Sequence, residues 1–391
     1  MWFWAICGTP LFLAHGRNGE GARSAQVPLF RLDVRALGYS PPTVHERPLS
    51  YGLPRIGSLS FCAGDEAVVS FVTHATPADL AHRGDPDNLL LPLRLRALFV
   101  DAKTGHLGTT REWPITSGKS RITCVPGGKF IVLTPDKLVL SSLEAGPSKV
   151  LQLRLSSQVA LGSFDPQASP AGKYLLIESE LPGGAEELFC WIDSNKLQLI
   201  RRWAEEGGTR TVSISDDGRA AVMGKGGAAY VGNPGSPPDA LRLVSDRYGL
   251  NSVFVSDDAL FAWSPPRGSG MGLHVLSTDG RVVLDEQLPR GEVISPLYPA
   301  VGGQRFAIAV YRGKGGSEML DIAPHFALDR VMVYDLPSRQ WIYTLSGKSQ
   351  RINSISALAL SPDGSLLGLI DEDGILQVYR LPVASSPPPA Q

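Results

Sequence analysis

The segment ALALSPDGSLLGLIDEDGILQVYRLP (residues 357–382) reads as three short apolar strands separated by two tight turns, and its pattern recurs along the whole chain. Apolar alternation of period two, broken by Asp- and Gly-containing turns, is the pattern of antiparallel hairpins. The first strand and its turn return as SLSFCAGDEAVVSFV, RITCVPGGKFIVL, SFDPQASPAGKYLLIE, TVSISDDGRAAVM, SVFVSDDALFAW and SPLYPAVGGQRFAIAV. Third strands return as ALFVDAKTG, LVLSSLEAG, LFCWIDSNK, AAYVGNPGS, LHVLSTDG and VMVYDLPSR, with more polar fourth strands such as LQLIRRW, VVLDEQL and WIYTLSG. Anchoring the first turn at Asp65, Gly128, Gly172, Gly218, Ala259, Gly303 and Gly364 gives intervals of 63, 44, 46, 41, 44 and 61 residues. Four of the six fall in the roughly 40–50-residue range of a four-stranded sheet unit. The two long ones contain insertions, at 73–93 and 312–329.

One such unit cannot bury either face of its sheet, so the units must cover one another. A closed ring does this for all seven without leaving a terminal face exposed. The 42 Gly and 31 Pro are spread along the chain, as many short strands require. The expected fold is therefore all-β: a seven-bladed β-propeller of four-stranded antiparallel blades over residues 26–382. The last blade stops after its third strand, and the Pro-rich tail 383–391 is expected to be disordered. Upstream, in PLFRLDVRAL, Phe30, Leu32 and Val34 alternate with Arg31, Asp33 and Arg35. This stretch is predicted to be the missing outermost strand of blade seven, pairing with 375–381 and closing the ring.

The stretch YTLSGKSQRINSISALALSPDGSLLGLIDEDGILQVYRL resembles a bacterial WD40-type repeat, and the weaker copies resemble the wider YVTN-type propeller group. Departures are visible. Where the family carries Gly-His, this chain has Gly347-Lys348 and Gly118-Lys119; where it carries Trp-Asp, this chain has Tyr334-Asp335 and Tyr379-Arg380. The buried His–Ser–Asp–Trp network of that family is accordingly expected to be absent.

The N-terminus, MWFWAICGTPLFLAHG, is an apolar run of signal-peptide length, too short to span a bilayer and without a basic leader. Cleavage after Gly16 or Ala25 makes the protein extracytoplasmic, either periplasmic or secreted. The alternative is an ordinary N-terminal extension (1–25) on a cytoplasmic protein. Removing the leader takes Cys7 and leaves Cys62, Cys124 and Cys190 in or beside apolar strand patterns, where they are expected as buried free thiols. No later stretch is apolar enough for an integral membrane span. A net charge of −1, with no basic stripe, argues against a nucleic-acid partner, and none is expected.

Motifs that would carry chemistry fail on their spacing. SGKS at 117–120 lacks the glycine of a phosphate loop five positions before Gly118, where Trp113 stands; Gly347-Lys348-Ser349 fails likewise at Ile342. SDDG (215–218) and DEDG (371–374) are turn chemistry rather than calcium loops. GSLSF (57–61) is not a nucleophile elbow. His74 and His82 share an insertion with Asp79, Asp85 and Asp87, without the spacing of a metal site. No catalytic, cofactor-binding or metal-binding residue is therefore assigned. Long loops in a compact fold more often bind than decorate, and both insertions leave the same face of the ring, flanking blade seven. The candidate binding face is His82, Arg83, Asp85, Asp87, Lys314, Glu318, His325 and Lys348. The function expected is a non-catalytic, monomeric scaffold for a protein or peptide partner. The alternative is a propeller enzyme, either a lactonase-type hydrolase or a metal- or quinone-dependent oxidoreductase, with its site at the channel mouth.

Overall fold

The structure, a computed structural model, describes residues 26–39, 58–63, 65–74, 93–115, 120–144, 147–155, 165–181, 186–206, 210–246, 251–264, 270–313 and 326–383. Within them lie seven antiparallel sheets of four strands each, arranged as a seven-bladed β-propeller. Blade one is Ser58–Ala63, Glu66–His74, Leu93–Asp101 and Leu107–Ile115 (β2–β5), and blade two is Arg121–Val125, Lys129–Leu133, Lys137–Ser142 and Lys149–Gln152 (β6–β9). Blade three is Asp165–Ala168, Tyr174–Glu180, Glu186–Asp193 and Gln198–Glu206 (β10–β13). Blade four is Arg210–Ile214, Ala220–Met223, Ala229–Gly232 and Arg242–Ser245 (β14–β17). Blade five is Asn251–Ser256, Ala259–Trp263, Gly272–Ser277 and Val282–Gln287 (β18–β21). Blade six is Glu292–Gly302, Arg305–Gly313, Phe326–Asp335 and Gln340–Ser346 (β22–β25). In each blade the chain runs from the channel outward. Six of the seven anchor residues fall in the turn between first and second strands, and Ala259 opens the second strand of blade five.

Blade seven takes its inner three strands, Ile355–Leu360, Leu366–Asp371 and Ile375–Arg380 (β26–β28), from the C-terminal end and its outer strand, Phe30–Asp33 (β1), from the N-terminal end. The register is Phe30↔Val378, Leu32↔Leu376 and Asp33↔Ile375, as the alternation predicts. The strand is shorter than that alternation. At Val34 the chain turns into a 3-10 segment, Arg35–Leu37, and Val34 stays fully buried.

Seven apolar clusters account for the core, one between each pair of neighbouring blades. Period-two side-chain geometry explains how one strand serves two clusters. In LLGLI of β27, Leu366 and Ile370 pack toward blade one, whereas Leu367 and Leu369 pack toward blade six. Gly368 sits between them because a Cβ there would lie 3.0 Å from the Phe61 ring of blade one. The five–six cluster is aromatic: Phe306 packs on Phe261 (5.0 Å between ring centroids), Tyr334 (5.2 Å) and Trp341 (5.9 Å).

Polar staples reinforce the interfaces on the face that carries the first turns. The Asp216 carboxylate of blade four accepts from Ser169 Oγ (2.5 Å) and from the Ala171 amide (2.7 Å) of blade three's turn. Arg305 of blade six is buried against Asp335 (2.9 Å) and donates to the Gly364 carbonyl of blade seven (2.7 Å). Asp335 also holds the Ser338 amide and hydroxyl. On the opposite face, the Asp371 carboxylate accepts from the Asp373 and Ile375 amides within the DEDG turn.

The cysteines depart from expectation. Cys62 of β2 and Cys124 of β6 are joined in a disulfide, with Cα atoms 4.6 Å apart, while Cys190 is a buried thiol. The reading of all three as free thiols fails because the inner strands of adjacent blades lie side by side, and the two cysteines stand at nearly the same rank in consecutive repeats. No helix among the described residues is long and apolar enough to cross a membrane.

Candidate functional site

Antiparallel pairing puts the second-to-third-strand connections and the blade-to-blade links on one face of the ring, opposite the first turns. The blade-one insertion leaves from His74 and re-enters at Leu93, which are paired residues; the blade-six insertion leaves from Gly313 and re-enters at Phe326, also paired. Both attachment points are therefore on this face, on either side of blade seven. Of the eight candidate residues, His82, Arg83, Asp85, Asp87, Lys314, Glu318 and His325 lie outside the described residues, as do Asp79 and the Gly118-Lys119 pair.

Lys348 lies within them, between the two attachment points. The blade six–seven link is a single helical turn, Gly347–Gln350 (α1), capped by the Ser346 hydroxyl and ended by Arg351 in the left-handed region (φ 58°). Gly347 is needed there because a Cβ would sit 2.4 Å from the Leu328 carbonyl oxygen. Lys348 and Arg351 are both exposed, and neither makes an ion pair among the described residues. Gln350 turns inward and donates to the Gln26 carbonyl (2.8 Å), tying the link to the start of the closing strand.

The 3-10 segment after β1 crosses from blade seven to blade one. Val34 donates to the Gly374 carbonyl (2.9 Å), and the Leu37 carbonyl accepts from Arg96 Nη1 of blade one (2.9 Å). The Tyr39 ring meets Phe71 edge-on at 5.5 Å. Arg96 and Arg94 share Glu112, at 2.6 and 3.3 Å. The floor between the insertions is thus built rather than open.

At the root of the blade-six insertion lies a charge cluster absent from the sequence expectations. Glu292, first residue of β22 and 1% exposed, receives Arg312 (2.5 Å) and Arg330 (2.8 Å), and Asp329 pairs with Arg330. Burial alone would push the Glu292 carboxyl up, but hydrogen bonds from Arg330 and Arg312 outweigh it and hold it below the usual carboxylate range. Because the folded-state value is depressed, this stabilisation is present above the ordinary carboxylate range and is lost as the pH falls through the lower value. Glu292→Gln is expected to cost about 2 kcal/mol at pH 7, with the gap to wild type closing toward pH 3. Urea midpoints at the two pH values check this. Glu292 opens β22 and Arg312 lies next to the end of β23, but Arg330 stands mid-strand in β24, so sequence spacing alone does not join the three.

Among the described residues no three His, Cys, Asp or Glu side chains form a group that could hold a metal ion. No protein-family model and no curated protein matches this chain. Solved structures do resemble it. A chain of the mitotic checkpoint complex superposes with a TM-score of 0.51 at 12% identity, covering 98% of this chain and all of that one. The β-propeller domain of the Trilobed protease from Pyrococcus furiosus gives 0.49 at 11% identity, over 88% of this chain and all of that domain. At 12% identity the first likeness shows the β-propeller fold alone, and nothing in these comparisons singles out the YVTN type.

Proposed function

We propose that the protein is a non-catalytic scaffold that binds a protein or peptide on the insertion-bearing face, across blades six, seven and one. One observation carries the reading: both long insertions are rooted on one face, on either side of a rigid floor from which Lys348 and Arg351 project without ion-pair partners among the described residues. Cations held on a capped turn, flanked by long loops, suit an acidic segment of a partner, because complementary charge steers encounter and fixes register. A neighbour in fold is a chain of the mitotic checkpoint complex, which is compatible with a role in binding other proteins.

The test is capture of partners from the protein's own cells with four baits. These are wild type, a variant with 75–92 replaced by a short turn, a variant with 314–325 so replaced, and Lys348→Glu with Arg351→Glu. Recovery of a specific partner should fall about tenfold or more in each variant, while the thermal transition stays within a few degrees. For the charge variant the deficit should shrink in high salt. Partners retained equally by all four baits would overturn the proposed face.

A further inference from the structure

The cross-link between blades one and two has a chemical requirement that the rest of the ring does not. Cys62 and Cys124 lie on channel-side strands of consecutive blades, 62 residues apart in sequence. A second clasp holds the same two strands: Ser58 Oγ lies 2.7 Å from Ser70 Oγ and donates to the Ile122 carbonyl (2.5 Å), while the Ile122 amide donates to Ser70 Oγ (3.2 Å). The two clasps, one polar and one covalent, fix the offset between the inner strands. Cys62 is 4% exposed, within the one–two apolar cluster, so the bond has to form before blade two closes over blade one.

We infer that the chain folds in an oxidising, extracytoplasmic compartment, where a disulfide-bearing exchange protein pairs Cys62 with Cys124 in their order of synthesis. Oxidising two thiols releases two protons and two electrons, and thiol-reducing compartments oppose this step. A disulfide on the exchange protein supplies the oxidant. One thiolate of the chain attacks it to form a mixed disulfide and expels a partner thiolate. The other thiolate of the chain then attacks the chain sulfur of that mixed disulfide and expels the second. The exchange protein leaves as a dithiol, which balances the step.

Cysteine order makes the inference specific. The chain carries Cys7, Cys62, Cys124 and Cys190. With Cys7 removed alongside the apolar N-terminal run, the first two cysteines to appear are the two that are bonded, and first-come pairing gives the native bond without reshuffling. With Cys7 retained, the same rule gives Cys7–Cys62. Cys190 arrives last and is enclosed as a thiol in the two–three cluster, where burial pushes its pKa up and lowers its reactivity.

The test is differential alkylation of the full-length protein in its own cells, with thiols blocked at harvest and peptides read by mass spectrometry in separated cytoplasmic and extracytoplasmic fractions. The expected result is an extracytoplasmic protein whose N-terminus begins after Cys7. Its Cys62 and Cys124 should be labelled at least tenfold more after reduction than before, and Cys190 only after unfolding. A cytoplasmic protein with an intact N-terminus overturns the inference, whatever its thiols. So do free thiols at Cys62 and Cys124 in any compartment. A Cys190→Ser variant should reach the same oxidised state; a mixed population involving Cys190 in wild type would overturn first-come pairing.

Discussion

Deletion of residues 26–34 is expected to unfold the ring rather than trim it. The deletion removes β1 and with it four backbone-paired positions along β28, Phe30 and Leu32 from the cluster between blades seven and one, and the fully buried Val34. Each buried aliphatic or aromatic side chain contributes about 1.5–3 kcal/mol, so the loss is roughly 5 kcal/mol or more, a large part of a domain's whole stability. Deletion also exposes β28 as an unpaired apolar edge, which invites aggregation. Calorimetry should show a fall in Tm of about 10 °C or more, or no cooperative transition at all. A synthetic peptide spanning 26–39 should restore part of it. A Tm unchanged by the deletion would mean that the ring does not depend on its N-terminal strand.

Removing the disulfide is expected to be the next largest effect. Cys62 and Cys124 close a loop of 62 residues, and for a loop of that size the chain-entropy account gives about 4 kcal/mol. Cys62→Ala with Cys124→Ala should shift the urea midpoint down, and a reducing agent should shift wild type by the same amount while leaving the double variant untouched. A reductant effect on the double variant would place the sensitivity elsewhere.

The architecture was legible because every blade is buried on both faces. Strand after strand therefore shows dense apolar alternation, and seven turns share one anchor position. Even the pairing of Phe30 with Val378 follows from two facts: the last repeat lacks a strand, and one alternating segment precedes the first. The disulfide is hidden because three cysteines in apolar strand patterns look alike until their ranks in the repeat are compared. Cys62 precedes Asp65 by three residues and Cys124 precedes Gly128 by four, which puts them on neighbouring strands at nearly the same height. The proposed face is named from the sequence only as a location. Its two insertions are polar and lack period-two or helical spacing, so nothing in them fixes which side chains meet. The Glu292–Arg312–Arg330 cluster joins residues up to 38 positions apart, and it becomes visible only once the strands are laid side by side.

The seam in blade seven also sets a timetable for the ring. Strand β1 leaves the ribosome before its partner β28, which is made about 340 residues later. At roughly 5–20 residues per second the early strand waits on the order of 20–70 s with its apolar edge unsatisfied. A protein built this way depends on whatever shields that edge in the interval, and slowing elongation late in the message should lower its yield more than slowing it early.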